Sequence, residues 1–461
     1  MLYPNFKIDK PVRIIELFGG YGSQLLALKY LGIEVEQWKL CEWAIKSIQA
    51  YKDLHCEDNT DYSKDLSVEE IKEYLFNKGI SSNYNDPMTK EQIKRLGETQ
   101  VRTIYNNIQA THNLVNIQQV KSNDLCIKNT DRFTYLLTYS FPCQDLSLAG
   151  KGLGMSDTTT RSGLLWEVER ILSELEEKPQ VLLMENVPQV HSQDNIEDFN
   201  KWQLRLEEMG YKNYCQDLIA TDYGIPQTRN RTFMVSILGD YNDTFPKPIP
   251  LKLKLKDMLE DNVDEKYFLS DKMINCFMSE SENSKFPRKE RFFQTLKTTN
   301  EDGIDATLCT TGGTRCTDNF IKIKNATKKG YLEATDGDGI DLTQPNSETR
   351  RGRVQKEAIQ TLTTQNNLGV VANIKNINNE DKTFSTLGTN CGSSTSAGGG
   401  VVLKNDLRIR KLTPRECFRL MGVKDEDYEK IAKNQSDSSL YHLAGDSIVV
   451  NVLMAIFKEL L

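Results

Sequence analysis

Apolar and polar positions over the first 245 residues alternate between a strand rhythm and a helix rhythm. Val12-Arg-Ile-Ile-Glu-Leu-Phe18 reads as a strand, Gly19-Gly20-Tyr21-Gly22-Ser23 as a tight loop, and Gln24 to Leu31 as a helix stopped by Gly32. Ile33 to Cys41 returns as a strand closed by Glu42, and two more apolar strands follow at Tyr135–Ser140 and Gln180–Met184. Short apolar strands separated by helical stretches predict an α/β fold built on a doubly wound sheet.

Residues 52–120 interrupt that rhythm. Ser67-Val-Glu-Glu70 is a capping-box pattern opening a helix that stops near Gly79. A second helix is expected from Thr89 towards Gln109, with Ile93, Leu96, Val101, Ile104 and Ile108 on its apolar face. This inserted helical pair either decorates the fold or forms a substrate-facing flap. The prolines of Phe245-Pro-Lys-Pro-Ile-Pro250 then mark a boundary, and residues 251–404 are rich in Thr, Gly and Asn. Within them Ala306–Gly313, Gln360–Val371 and Ser385–Val402 resemble one another as strand, polar loop and return strand. Regularity resumes at Ile409: Thr413 reads as an N-cap, Pro414 as the first helical position and Gly422 as the stop. Gly445-Asp446-Ser447 reads as the cap of a last helix from Ile448 to Phe457.

Composition narrows the class. A chain of 461 residues supports two domains, and its 38% hydrophobic and 27% charged content is that of a soluble protein. No apolar run approaches the ~20 residues of a membrane span, and no secretory signal is read at the N-terminus. Ten cysteines without a Cys-x-x-Cys pair, and only four histidines, predict reduced thiols in a cytoplasmic setting and no metal site. The net charge of −7 argues against a generally basic nucleic-acid binder. Local basic clusters still suit phosphates: Arg288, Lys289 and Arg291; Lys322, Lys324, Lys328 and Lys329; Arg350, Arg351 and Arg353.

Two groups of residues carry candidate chemistry. Gly20 and Gly22 let a backbone approach a bulky ligand, Glu42 stands where an acid binds two ribose hydroxyls, and Trp43 could stack on adenine. These features suit a nicotinamide cofactor as well as S-adenosylmethionine. Ser140-Phe141-Pro142-Cys143-Gln144 follows one strand and Glu185-Asn186-Val187 another. A thiol and a carboxylic acid at neighbouring strand ends could together activate an electron-poor ring, one adding to carbon while the other protonates a ring nitrogen.

The succession of Glu16–Gly22, Phe141–Ser147, Glu185–Val187, Gln227–Arg231, Arg410–Cys417 and Gly445–Val449 resembles the DNA (cytosine-5) methyltransferase family of bacterial or phage modification type. The resemblance covers residues 11–245 and 405–461. It implies a Rossmann-like class I methyltransferase sheet over 1–245 and 405–461, with an inserted, mainly β or irregular target-recognition domain at 246–404. It also implies Cys143 as nucleophile, Glu185 as the group gripping ring nitrogen 3, Arg231 beside the flipped base, Arg229 nearer phosphate, and Gln144 in the catalytic turn. S-adenosylmethionine is the implied cofactor, held by Phe18, Gly20, Tyr21, Gly22, Glu42, Trp43, Asp124, Asp446 and Ser447. Double-stranded DNA is the implied partner, met in a cleft by a monomer, with room for a companion restriction endonuclease. Glu16 stands where the family usually has Asp, Ser23 replaces a common Gly as an expected N-cap, and Asp446 replaces the usual Asn. Rival readings are a related transfer-RNA enzyme, whose usual Cys-Phe-Thr motif is not found in 246–404, and a DNA-binding protein that has lost catalysis.

Overall fold

The computed structural model describes residues 3–142, 162–242, 245–270, 321–373 (apart from 346, 348 and 366) and 407–461. The chain divides into two compact units, residues 1–252 with 363–365 and 417–461, and residues 253–362 with 366–416.

The first unit is built on six strands: β1 (Val12–Leu17), β2 (Val35–Cys41), β3 (Thr134–Tyr139), β4 (Val181–Asn186), β5 (Tyr211–Ile219) and β6 (Asn230–Leu238). Their order is β2-β1-β3-β4-β6-β5. The first four run parallel, and β6 is antiparallel to both β4 and β5. Every residue of β3 and β4 is buried, which is why both strands read as largely apolar. On one face the core takes Val168, Ile171 and Leu172 from one helix (Leu165–Glu174) and Phe199, Trp202 and Leu206 from another (Ile196–Glu208).

Two helices set the loop after β1. The first, α1, spans Ser23–Tyr30, and the second, α2, spans Ile45–His55. Gly22, not Ser23, is the N-cap of α1, with φ 81° and no side-chain cap. The Ser23 hydroxyl donates to Gln24 instead, and the N-terminus of α1 is served by Glu16: its carboxylate accepts Leu25 N–H at 3.2 Å and the Tyr51 hydroxyl at 2.6 Å. His55 Nε2 lies 3.0 Å from the carbonyl oxygens of both Tyr21 and Gly22, so this nitrogen carries the proton. A Cβ on Gly22 would meet His55 Nε2 and Tyr51 at 2.6 Å, so glycine is required there by both conformation and space.

The insertion has three helices. α3 (Val68–Lys78) opens on the expected Ser67–Glu70 capping box and stops at Gly79 with φ 68°. The single helix expected over 89–109 is instead α4 (Lys90–Lys94) and α5 (Glu98–Ala110), separated at Gly97, the N-cap of α5. The apolar face of Ile93, Leu96, Val101, Ile104 and Ile108 is continuous across a break that periodicity does not register. These helices share a core of Ile71, Leu75, Ile93, Val101, Ile104 and Ile108 with Ile48 of α2.

At the C-terminus, Gly445–Ser447 does not cap the last helix. Asp437–Asp446 is itself a helix, and the last helix runs Val450–Leu460 with Val449 as N-cap. Ser447 turns back, its hydroxyl donating to Ala444 O at 3.0 Å. The apolar stretch Asp437–Leu460 is thus two helices, mostly buried within the fold.

The second unit holds a four-stranded sheet, with strands Gly339–Asp341, Val354–Gln355, Leu368–Asn373 and Leu407–Lys411, and a two-stranded ribbon, Ile321–Lys324 with Tyr331–Ala334. Leu407–Lys411, expected with the first unit, pairs antiparallel with Leu368–Asn373. Thr413 caps the following helix as expected, with Glu416 completing the capping box and also holding Arg410 in a buried ion pair.

Glu16 is fully buried, and burial pushes its carboxyl up to about 7 from an ordinary value of 4.5. Between those values the folded state binds the extra proton, so this contribution is present in full below pH ~4.5 and is lost as pH rises through about 7, on the order of 3 kcal/mol in all. Glu16→Gln should flatten the stability–pH profile across that window in urea unfolding; profiles parallel to wild type would refute the assignment.

Candidate active site

The register of β3 with β4 pairs Tyr139 with Met184, so the residues that follow each strand emerge at the same edge of the sheet. Glu185 is buried there. Its Oε1 lies 3.1 Å from Arg231 Nε, and its Oε2 accepts the hydroxyl of Ser140. Arg231 reaches this acid from β6, whose antiparallel register sets Phe233 opposite Glu185. Asn186 Nδ2 donates to Phe141 O at 3.0 Å, tying the turn that leads towards Cys143 to the end of β4. Cys143 and Gln144 lie outside the described residues. The structure therefore brings Glu185 and Arg231 together.

A second group forms around the loop after β1. Phe18 and Gly20 both adopt positive φ, 58° and 55°. Glu42 accepts Gly20 N–H at 3.0 Å and Ala44 N–H at 2.7 Å, one on each carboxylate oxygen. Burial pushes its carboxyl up to about 7, the two backbone donors pull it down, and Asp446 pushes it up again. Trp43 is half-buried, packed against the core of the insertion. Tyr21 is buried, its ring 5.4 Å from Phe418, and its hydroxyl finds no hydrogen-bond partner.

Asp446 ends its helix with 54% of its side chain exposed, 3.5 Å from His442. Its carboxyl is raised by desolvation; His442, Arg229 and Arg231 lower it and Glu185 raises it. Asp446 thus senses both the Glu42 group and the Glu185 group. Asp124 stands apart in role: it is exposed and accepts Lys121 N–H at 2.9 Å, closing its own turn.

Arg229 departs from the phosphate contact expected of it. Its guanidinium is buried and donates to Gly445 O at 3.0 Å and Ser447 O at 2.8 Å. The cluster at 350–353 also turns inward in part. Arg353 is fully buried among the carbonyls of Asp341, Thr343 and Gln344, and Arg350 pairs with Asp341. Arg288, Lys289 and Arg291 lie outside the described residues.

Sequence reasoning missed four contributors. Ser140 has a signal in its place, since a hydroxyl directly after a strand is a natural donor to an acid on the next. Asn186 carried a signal in its place beside Glu185. Tyr51 and His55 carried none, since a helix interior offers them no distinguishing pattern.

A family profile described as C-5 cytosine-specific DNA methylase matches residues 77–461. The chain is 30% identical to the type II methyltransferase M2.ScrFI of Lactococcus lactis subsp. cremoris over 453 residues, covering 97% of this chain and 99% of the relative. It is 39% identical to the orphan methyltransferase M.SssI of Spiroplasma monobiae over 269 residues, 57% of this chain and 68% of the relative. Among solved structures, the S. pombe Dnmt2 methyltransferase matches with a TM-score of 0.50 at 15% identity, covering 98% of each chain, which speaks for the fold alone. With the α/β sheet, the ordered motifs and the whole-length likeness all in agreement, the chain belongs to the C-5 cytosine-specific DNA methylase family and is a DNA (cytosine-5) methyltransferase.

Proposed function

We propose that the protein methylates carbon 5 of a cytosine flipped out of a specific short duplex DNA sequence, using S-adenosylmethionine and a covalent adduct with Cys143. The observation that carries this reading is the Ser140–Glu185–Arg231 cluster, a buried carboxyl held by a hydroxyl and a guanidinium where the chain turns towards Cys143.

The residues present fit the cofactor. A Cβ on Gly20 would meet nothing within 4 Å, so the loop is open there, while the Tyr21 hydroxyl is buried without a partner. Glu42 is fixed by two backbone donors and keeps lone pairs for ribose hydroxyls. Tyr21, Glu42, Trp43, Asp446 and Ser447 would hold the cofactor, which supplies an electrophilic methyl group on a positively charged sulfur.

Carbon 5 of cytosine is too weak a nucleophile to take that methyl unaided. The Cys143 thiolate adds to carbon 6, forming a carbon–sulfur bond and moving an electron pair towards carbon 5. In its protonated form Glu185 donates to ring nitrogen 3 as charge develops, oriented by Ser140 and Arg231, and takes that proton back on elimination. Once carbon 5 has gained the methyl, water removes its proton, the carbon–sulfur bond breaks and Cys143 departs as thiolate. Reaching Cys143 requires the cytosine to leave the stack, at a cost of a few kcal/mol. Residues 253–416 would read the surrounding bases. The type II names of relatives support a place in a restriction–modification system, beside a companion endonuclease.

Labelled S-adenosylmethionine with unmethylated duplex DNA should yield 5-methylcytosine within one fixed word, mapped by sequencing. Label absent from DNA but present in transfer RNA would overturn the substrate. Cys143→Ser should abolish transfer while DNA retention in a gel-shift assay persists; transfer surviving in this variant would exclude the covalent route.

Asp446 adds negative charge beside Glu42 and Glu185, which favours a cationic donor over its neutral sulfide product. Asp446→Asn should narrow the ratio of product to donor dissociation constants by about two- to fivefold. A ratio unchanged in calorimetric titration would deny Asp446 this part.

A further inference from the structure

We infer that the loop 81–88 of the insertion supplies a wall of the cofactor site, with the Tyr84 hydroxyl donating to an acceptor on the bound cofactor and His442 holding the Tyr84 ring. This rests on the cofactor reading above.

The loop is latched to the peptide that follows Glu42. Ser81 N–H donates to Trp43 O at 2.8 Å, and Ile45 N–H donates back to Ser81 O at 2.9 Å. Met88 N–H closes the loop on Ile80 O at 2.8 Å, and Asn83 Oδ1 accepts the N–H groups of Asn85 and Asp86. These bonds fix Tyr84, whose φ of 64° is a conformation that a tyrosine adopts only at a cost. Tyr84 then meets His442 edge to face, with ring centroids 3.6 Å apart at 83°.

Tyr84 Oη is buried without a hydrogen bond, and His442 Nε2 has only the 3.5 Å contact with Asp446 Oδ2. Ser47 and Ser439 stand beside the phenol without a hydrogen bond to it, and the Ser439 hydroxyl donates to Gln435 at 2.7 Å. Burial, with Glu42 and Asp446 adding repulsion, pushes the Tyr84 hydroxyl up, so at neutral pH it remains a donor. A buried donor without an acceptor is destabilising. Here that donor is the Tyr84 phenol, held by the insertion within the influence of the Glu42 and Asp446 carboxylates, with His442 Nε2 beside Asp446. A ligand with oxygen or nitrogen acceptors would satisfy the phenol, and the cofactor assigned to this loop carries both.

The test is calorimetric titration of the full chain with S-adenosylmethionine and S-adenosylhomocysteine, alongside thermal unfolding without ligand. Tyr84→Phe should weaken binding of both by about three- to tenfold. Its ligand-free Tm should stay level or rise, because the variant deletes an unsatisfied buried group. Tyr84→Ala should weaken binding further and lower the Tm through loss of the His442 packing. Unchanged affinity in Tyr84→Phe, or a ligand-free Tm that falls in parallel with affinity, would overturn the inference while wild-type binding left the cofactor reading intact. No binding by wild type would overturn both.

Discussion

One buried guanidinium joins the two stretches of chain from which the catalytic unit is made. Arg229 sits just ahead of β6, and its hydrogen bonds to Gly445 O and Ser447 O fasten the C-terminal segment after the excursion through residues 253–416. Carbonyl oxygens at the end of a helix need donors, and an arginine can serve two at once from a fixed fork. Gln227 acts nearby in the same sense, donating to Leu420 O at 2.8 Å. The Gln227–Arg231 motif therefore divides its labour. Its first members hold the returning chain, and its last, Arg231, reaches the acid at the end of β4. A long intervening segment costs little extra closure entropy, because that cost grows only with the logarithm of length. Such a tie can hold the unit together whatever is inserted between its parts.

The second organising constraint is the handling of buried acids. Glu16 and Glu42 are both lifted to about 7 by burial, and each is met by backbone N–H groups of the glycine loop or the segments beside it. The loop conformation and the acids depend on one another. Gly22 turns where no side chain fits, and the acids take up the Gly20 and Leu25 amides at either side of it. The Glu16 carboxylate at the start of α1 does the work that a serine N-cap was expected to do.

Much of the site was legible because its residues meet through short, directional contacts that tolerate few alternatives. A glycine that must adopt positive φ, an acid at a strand end and an arginine facing it leave their types in the sequence. Boundaries set by a single residue were less visible. Gly97 divides one apolar face into two helices, and the helix Asp437–Asp446 ends inside a motif that reads as the start of the next. Arg229 shows a third limit. The residue type is compatible with a phosphate or with backbone carbonyls, and only the fold reveals that its guanidinium is enclosed. Tyr51, His55 and Tyr84 lay beyond pattern altogether, because their importance comes from what α2 and the insertion are packed against.

Asp446 draws these strands together. An acid where an amide is usual adds charge to a site already holding Glu42 and Glu185, and it is tolerated because Arg229 and Arg231 both favour its ionised form. His442 lies on the same helix one turn back, 3.5 Å from it. Arg229 makes its hydrogen bonds to neutral carbonyls, so its full positive charge is left to act on Asp446. The residue that closes the fold thereby also offsets the acid that distinguishes this chain. Any change that moved Arg229 away from the carbonyls of Gly445 and Ser447 would loosen the C-terminal segment and leave three carboxylates repelling one another with less to oppose them.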